Sequence, residues 1–221
     1  FGSVPFPIVH LDTSFKFQEI YKFRDEYAKK WGLKLIVSKN QAALKKGMCP
    51  EKGRYECCNA LKTDTLKQVI RDMGFKALFL AIRRDEHSIR AKERYFSPRT
   101  KDFKWDYFDQ PLEMWHQFYK SRDSDNKHAR IHPMLSWREI DIWRYIKKEN
   151  LPVISLYFSE KNKRFRSIGC ESCCEPVISK ADTIDKIIKE LERTDIAERS
   201  GRCQDKEQPF MMQKLRSLGY M

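Results

Sequence analysis

Glycine is scarce in this chain. Only eight occur among 221 residues, and none falls in a run that would wrap backbone amides around a phosphate. The sequence therefore lacks the usual main-chain donors for a pyrophosphate. Long apolar runs are missing as well. The longest, 77–82, falls far short of the roughly 20 residues that span a bilayer. No basic stretch leads into an apolar core at the start, so no secretory pattern is read there. These absences predict a cytoplasmic protein with no membrane association. The chain opens without Met and enters Val4-Pro5-Phe6-Pro7-Ile8-Val9 at once, which reads as the remainder of a longer protein. The five histidines are weak signals. His132, before Pro133 at a strand end, reads more readily as packing than as a nucleotide contact.

What is abundant is positive charge and cysteine. The net charge is +13 and the pI near 9.4. Such a surface attracts anions: nucleotides, sulfate, nucleic acid or an acidic protein; the alternative is a solvated basic face with no specific ligand. Acidic residues are interleaved with the basic ones, which weakens the case for a nucleic-acid stripe. At 41% hydrophobic residues the chain has enough apolar content to fold. Seven cysteines include the doublet Cys57-Cys58 and the later pair Cys170 and Cys173 in Cys170-x-x-Cys173. In a reducing compartment such spacings favour metal binding or catalysis over disulfides. Adjacent cysteines crowd a single tetrahedral zinc. They suit a [4Fe–4S] cubane better, where each thiolate takes its own iron. Zinc and unligated structural thiols stay open on the residues alone. Lys62, one helical turn past Cys58, either offsets the charge of a liganded cluster or is simply solvated.

Periodicity predicts strands at 8–11, 33–37, 76–82 and 129–131. Helices are expected at 14–31, 61–73, 137–148 and 183–192, with Ser136 as an N-cap and Glu139 three residues on. Trp137 and Trp143 share one helix face as core, while Trp105 and Trp115 read as core or partner surface. The alternation predicts an α/β fold, an open parallel sheet with helices on both faces. Residues 1–192 are expected to form the nucleotide-binding domain, with a loop-rich insertion at 83–130. Residues 193–221 read as a basic extension over the surface.

Ligands of open α/β sheets bind at strand ends. Two such ends stand out, His10-Leu11-Asp12-Thr13-Ser14 and the stretch after 76–82. The second carries four arginines within twelve residues, Arg83, Arg84, Arg90 and Arg94. Guanidinium offers paired donors to phosphate or sulfate. The alternative is an exposed helix in which Arg90, Glu93 and Arg94 pair with neighbours.

The string Arg83-Arg84-Asp85-Glu86-x-Ser88-x-Arg90-Ala91-Lys92-Glu93-Arg94 resembles the signature of the small, catalytic subunit of bacterial sulfate adenylyltransferase. Pro5-Phe6-Pro7-x-x-His10-x-Asp12-Thr13-x-x-Lys16-Phe17 and Tyr21-x-Phe23-Arg24-Asp25 are similar to the same family. So are Pro133-x-x-x-Trp137-x-x-x-Asp141-Ile142-Trp143-x-Tyr145-Ile146, Arg164-Phe165-Arg166-x-x-Gly169-Cys170, Glu198-Arg199-x-Gly201-Arg202 and the closing Gly219-Tyr220. The resemblance places the chain in the superfamily of N-type ATP pyrophosphatases and adenylyl-sulfate reductases, an adenine nucleotide alpha hydrolase-like fold. It implies adenylyl transfer from magnesium-bound ATP to sulfate and a GTPase large subunit as partner. It assigns Arg83, Arg84 and Asp85 to catalysis, and Asp12, Thr13, Arg83, Arg90, Arg94 and Arg166 to the nucleotide.

Two departures from the family pattern stand out. The family's first strand, Ser-x-Gly-Lys-Asp-Ser loop and helix are missing from this stretch. Its small subunits also lack a Cys-Cys pair. Cys57-Cys58 and Cys170-x-x-Cys173 instead resemble the iron–sulfur adenylyl-sulfate reductases, which makes a reductase the second reading. Against it, Cys203 in Gly201-Arg202-Cys203-Gln204 lacks their Glu-Cys-Gly-x-His setting. A pyrophosphatase thiolating tRNA or DNA and a non-catalytic nucleotide-binding subunit are further readings. Cys49 and Cys174 receive no role.

Overall fold

The computed structural model describes residues 2–106, 113, 128–207 and 209–219. Strand β1 (Ile8–Leu11) leads through α1 (Gln18–Lys30) to β2 (Leu35–Ser38), which lies parallel to β1 with Ile8 opposite Leu35. The short helix α2 (Gln41–Lys45) follows. A second parallel pair joins β3 (Ala77–Phe79) to β5 (His128–Ile131), and β4 (Phe96–Arg99) runs antiparallel along the far side of β5. The α/β expectation holds, with mostly parallel main pairs. The two ladders are separate, however: among the described residues no strand bridges β1 to β3. Apolar side chains near those facing edges are left in solvent, including Phe6, Ile8 and Phe79, and Phe6 stacks on Phe79 at 5.2 Å.

Several boundaries differ from expectation for local reasons. Helix α1 starts at Gln18, not at residue 14. Ser14 adopts a left-handed φ of 64° and gives its N–H to Asp12 Oδ1 at 2.8 Å, so the strand end turns tightly before the helix begins. The helix expected from residue 61 begins earlier. It comprises α3 (Arg54–Cys58), a wide π turn over Asn59–Thr63, and α4 (Asp64–Met73), closed by Gly74 at φ 63°. The region 83–130 is not all loop, because β4 lies within it. Pro98 obscured that strand, yet it is tolerated because β4 is an edge. Trp115 and the other residues of 107–112 and 114–127 lie outside the described residues.

Ser136 does not cap the next helix. Helix α5 (Glu139–Lys148) starts later, and its first amides go to carboxylates: Arg138 N to Asp141 at 3.0 Å and Glu139 N to Asp85 at 2.6 Å. Trp143 is buried, but Trp137 precedes the helix and meets Tyr145 edge-on at 5.3 Å. A hairpin of β6 (Lys163–Arg164) and β7 (Val177–Ile178) leads to α6 (Ile184–Leu191), whose N-cap is Thr183. Trp143, Ala181 and Ile187 form one core between α5 and α6.

The C-terminal stretch is the largest correction. Expected on the surface, it supplies core. After α7 (Cys203–Lys206), α8 (Met211–Ser217) buries Met211, Met212 and Leu215 against Cys58. Both Glu207 oxygens accept the first amides of α3, from Arg54 and Tyr55, each at 3.1 Å. Three apolar positions in a short, charged helix give too weak a period to read from sequence. No helix among the described residues is long and apolar enough to cross a membrane.

Two predictions follow from this packing. Leu215→Ala, at 0% exposure, is expected to cost about 2–4 kcal/mol, read from the midpoint of denaturant unfolding; a loss under about 0.5 kcal/mol would contradict a core role for α8. The second concerns acid. Burial, with Arg99 and Arg130 nearby, lowers His132 to about 4, against the opposing hydrogen bond to the Arg94 carbonyl. The unfolded chain then takes up a proton at His132 from about pH 6.5 downward while the folded chain does not, so stability falls between pH 6.5 and 4. His132→Gln should flatten that fall by about 1–2 kcal/mol; identical pH profiles would contradict it.

Candidate active site

The chain leaving β1 passes through Asp12 and Thr13 to Lys16, which bridges to Cys170 across the start of the later cysteine loop. From the other side, the π turn after Cys58 brings Lys62 back over its own helix, with Nζ 3.5 Å from Cys58 Sγ. Gly169 lets Arg202 approach, since a Cβ there would sit 2.2 Å from Arg202 Nη1. These three movements build a cleft of about 490 Å³ lined by Lys16, Lys62, Arg202, His10 and Gly169. An adjoining hollow of about 470 Å³ shares His10 and Lys16, and Ile20, Phe23, Val153 and Tyr157 make it apolar. A cationic cleft joined to an apolar hollow suits a nucleotide, with phosphates in one and base in the other. Two other surface grooves, of about 550 and 380 Å³ on α5, lie away from these groups.

Beneath the cleft lie Cys57, Cys58, Cys170 and Cys173, each at most 4% exposed. They share one electrostatic environment. Burial pushes the Cys57 thiol up to about 12, and Cys58, Cys170 and Cys173 add to the rise. Cys58 is raised by burial and by both later cysteines, with Lys62 opposing. Cys173 is raised by burial and then by Cys170. Thr13 Oγ1 lies 3.3 Å from Cys170 Sγ. Lys16 is shifted down by burial and by Lys62, with Arg202 adding to the effect. Three cations therefore lie around the four thiols, of which Cys57, Cys58 and Cys173 are held towards their neutral forms by burial.

Among the described residues no three His, Cys, Asp or Glu side chains converge on one metal ion. By donor type, four thiolates are what a cubane takes. A cubane bound by four thiolates would place negative charge beside Lys16, Lys62 and Arg202.

The other expected residues are placed as follows. Asp12 is buried and committed: Tyr21 Oη donates to it at 2.8 Å and Lys39 lies at 2.9 Å. Burial alone would raise its pKa, but Lys39, the Ser14 amide and Tyr21 hold it below the usual carboxylate range. Arg83 contacts Asp85 at 3.1 Å, Glu86 at 3.2 Å, and Glu198. Arg90 pairs with Glu86, and Arg94 lies 4.0 Å from Glu113. Arg84 turns away, donating to the Glu93 carbonyl at 3.3 Å with its guanidinium over Tyr95. Arg166 donates to Glu139 at 3.2 Å and to the Ile196 carbonyl at 2.7 Å. These arginines form an ion-pair belt rather than a bare anion site. The belt still reaches the hollow, because Tyr157 on its wall feels Glu198, Arg202 and Arg83 together.

Lys16, Arg202 and His10 were missed as site residues, although each stands in a motif string noted above. His10 is held neutral, lowered to about 4 by burial and then by Lys16 and Arg24, and its Nδ1 accepts from Arg24 at 2.8 Å. Cys174 accepts from Arg202 at 3.0 Å and from the Gly169 amide at 3.1 Å. Cys203 is raised by burial and by Glu175, the opposite of a poised nucleophile.

The chain is similar to several known proteins. Residues 2–176 match the phosphoadenosine phosphosulfate reductase domain. Sulfate adenylyltransferase subunit 2 of Shewanella pealeana is 36% identical, covering 99% of this chain and 82% of the relative. The Saccharophagus degradans protein of that name is 37% identical over the same shares. Among solved structures, phosphoadenylyl-sulfate reductase from Candida auris superposes with a TM-score of 0.53 at 15% identity, covering 79% of this chain and 73% of that one. The FMN adenylyltransferase of Candida glabrata gives 0.51 at 15% identity, covering 79% and 46%. These two show the shared fold. The chain belongs to the phosphoadenosine phosphosulfate reductase domain family, among its sulfate adenylyltransferase subunit 2 members.

Proposed function

We propose that the chain activates sulfate: a sulfate oxygen attacks the α-phosphorus of magnesium-bound ATP, adenylyl sulfate forms, and pyrophosphate leaves. The observation that carries this reading is the meeting of Lys16, Lys62 and Arg202 in one cleft beside an apolar hollow. Adenine fits the hollow against Phe23, Ile20 and Val153. The three cations neutralise the approaching sulfate and the polyphosphate, whose mutual repulsion is the main barrier to be lowered. Little covalent help is needed once the anions are held in line. His10, kept neutral, adds hydrogen bonding to the cleft wall without a further charge.

The belt arginines join this assignment as proposals. Burial pushes Glu198 up to about 7 against the pull of Arg83, so near neutrality Arg83 has a partner that yields its place to a phosphate oxygen. Arg83, Arg84 and Asp85 would then act at the reacting phosphate, and Arg90, Arg94 and Arg166 would hold the loops around it. Asp12 and Thr13 position Lys39 and Cys170. We further propose a [4Fe–4S] cluster on Cys57, Cys58, Cys170 and Cys173. When bound, it supplies a fixed anion that orders the three cations and a centre able to carry one electron. Relatives named as a second subunit support a larger companion subunit, which we take to be a GTPase. Reduced cysteines in this number suit the cytoplasm.

The test is sulfate-dependent pyrophosphate release by the intact enzyme with its companion subunit. Lys62→Ala is expected to lower kcat/KM by about 10- to 100-fold. Unchanged kinetics would remove Lys62 from the site. Sulfite formed from adenylyl sulfate and reduced thioredoxin, with no sulfate-dependent pyrophosphate, would favour the reductase reading that the four cysteines also support. Stimulation by tRNA or DNA would favour thiolation.

A further inference from the structure

A second concentration of positive charge lies in the interior, on elements that take no part in the cleft. Strands β4 and β5 pair with Ser97 opposite Arg130 and Arg99 opposite His128. Opposed and alternate residues share a sheet face, so these four side chains point the same way. All are at most 2% exposed. Arg216 of α8 comes from the other side, its guanidinium over Trp105 at 4.5 Å. Phe103 closes over His128 at 5.2 Å.

Among the described residues the charges here do not balance. Glu93 is the one carboxylate among the described residues that pairs with this set, 2.7 Å from Arg216 and 3.7 Å from Arg99, with Ser97 donating to it at 3.4 Å. Arg94 has Glu113 as its own partner, and Arg71 lies over Phe103. Three guanidiniums, Arg99, Arg130 and Arg216, thus face one carboxylate and leave two positive charges over. Their donors are idle as well. Arg130 gives Nη2 to the Gly219 carbonyl at 2.6 Å, but its Nε and Nη1 have no hydrogen-bond partner. Neither do the three guanidinium nitrogens of Arg99 nor either ring nitrogen of His128. Burial and these arginines keep His128 neutral at ordinary pH, lowered to about 4. It can therefore donate one N–H without adding charge. Water would satisfy donors but not the excess charge. A compact dianion with several acceptor oxygens does both, and planar guanidinium forks match it.

We propose that the β4–β5 face holds one tetrahedral oxyanion, sulfate or phosphate, between Arg99, Arg130 and His128, tying the C-terminal helix to the sheet. Because it uses none of the cleft residues, this site stands or falls apart from the proposed activity. The test has two parts. The desalted protein is denatured in acid and released anions are measured, with about one equivalent of sulfate or phosphate per chain expected. Thermal unfolding is then followed in sulfate, phosphate and chloride at equal ionic strength. Stabilisation should saturate with one or both oxyanions, and the preferred one identifies the occupant. Arg99→Gln should raise the midpoint concentration about tenfold or more, and the uncharged change His128→Gln, which serves if Arg99→Gln does not fold, about threefold. Lys62→Ala, in the cleft, should leave that midpoint in place. No released anion together with equal unfolding temperatures in all three salts would overturn the proposal, as would a midpoint that moves with Lys62→Ala and not with His128→Gln.

Discussion

The cleft rests on a mismatch of charge. Lys16, Lys62 and Arg202 converge on Cys57, Cys58, Cys170 and Cys173, and burial holds Cys57, Cys58 and Cys173 towards their neutral forms. The cations act on one another, Lys62 and Arg202 both lowering Lys16. The local backbone brings these groups together. The π turn after Cys58 returns Lys62 to its sulfur, and a glycine at 169 admits Arg202.

The same constraint explains why the C-terminal segment is inside. Arg202, Glu198 and Glu207 all come from it. Arg202 faces the cleft, Glu198 holds Arg83, and Glu207 caps the helix that carries the cysteine doublet. Helix α8 then covers Cys58 with Met211, Met212 and Leu215. The cysteine doublet, the cleft and the chain end are thus packed together.

Much of this was legible in the sequence. The β1–α1–β2 unit could be read from period and turn residues, and the two cysteine pairs from spacing alone. What stayed hidden has physical causes. β4 carries a proline and an arginine, which is affordable at an edge and unlike a core strand. Asp85 caps α5 from 54 positions away, a contact no local pattern encodes. Asp12 looked like a nucleotide ligand at a strand end, but Lys39 and Tyr21, both beyond the turn, occupy its oxygens. The arginines of 83–94 were visible as anion binders by type, whereas their carboxylate partners Glu198 and Glu113 come from distant segments. Lys16 and Arg202 needed the fold to bring them to the same cleft.

Everything about the cleft turns on whether the four thiols ligate one centre. The most direct measurement is the content of iron and acid-labile sulfide in protein purified without oxygen, with the absorbance near 400 nm. The account predicts about four irons and four sulfides per chain and a brown protein, with both lost in Cys57→Ser and Cys173→Ser alike. A colourless protein holding zinc or no metal would contradict it.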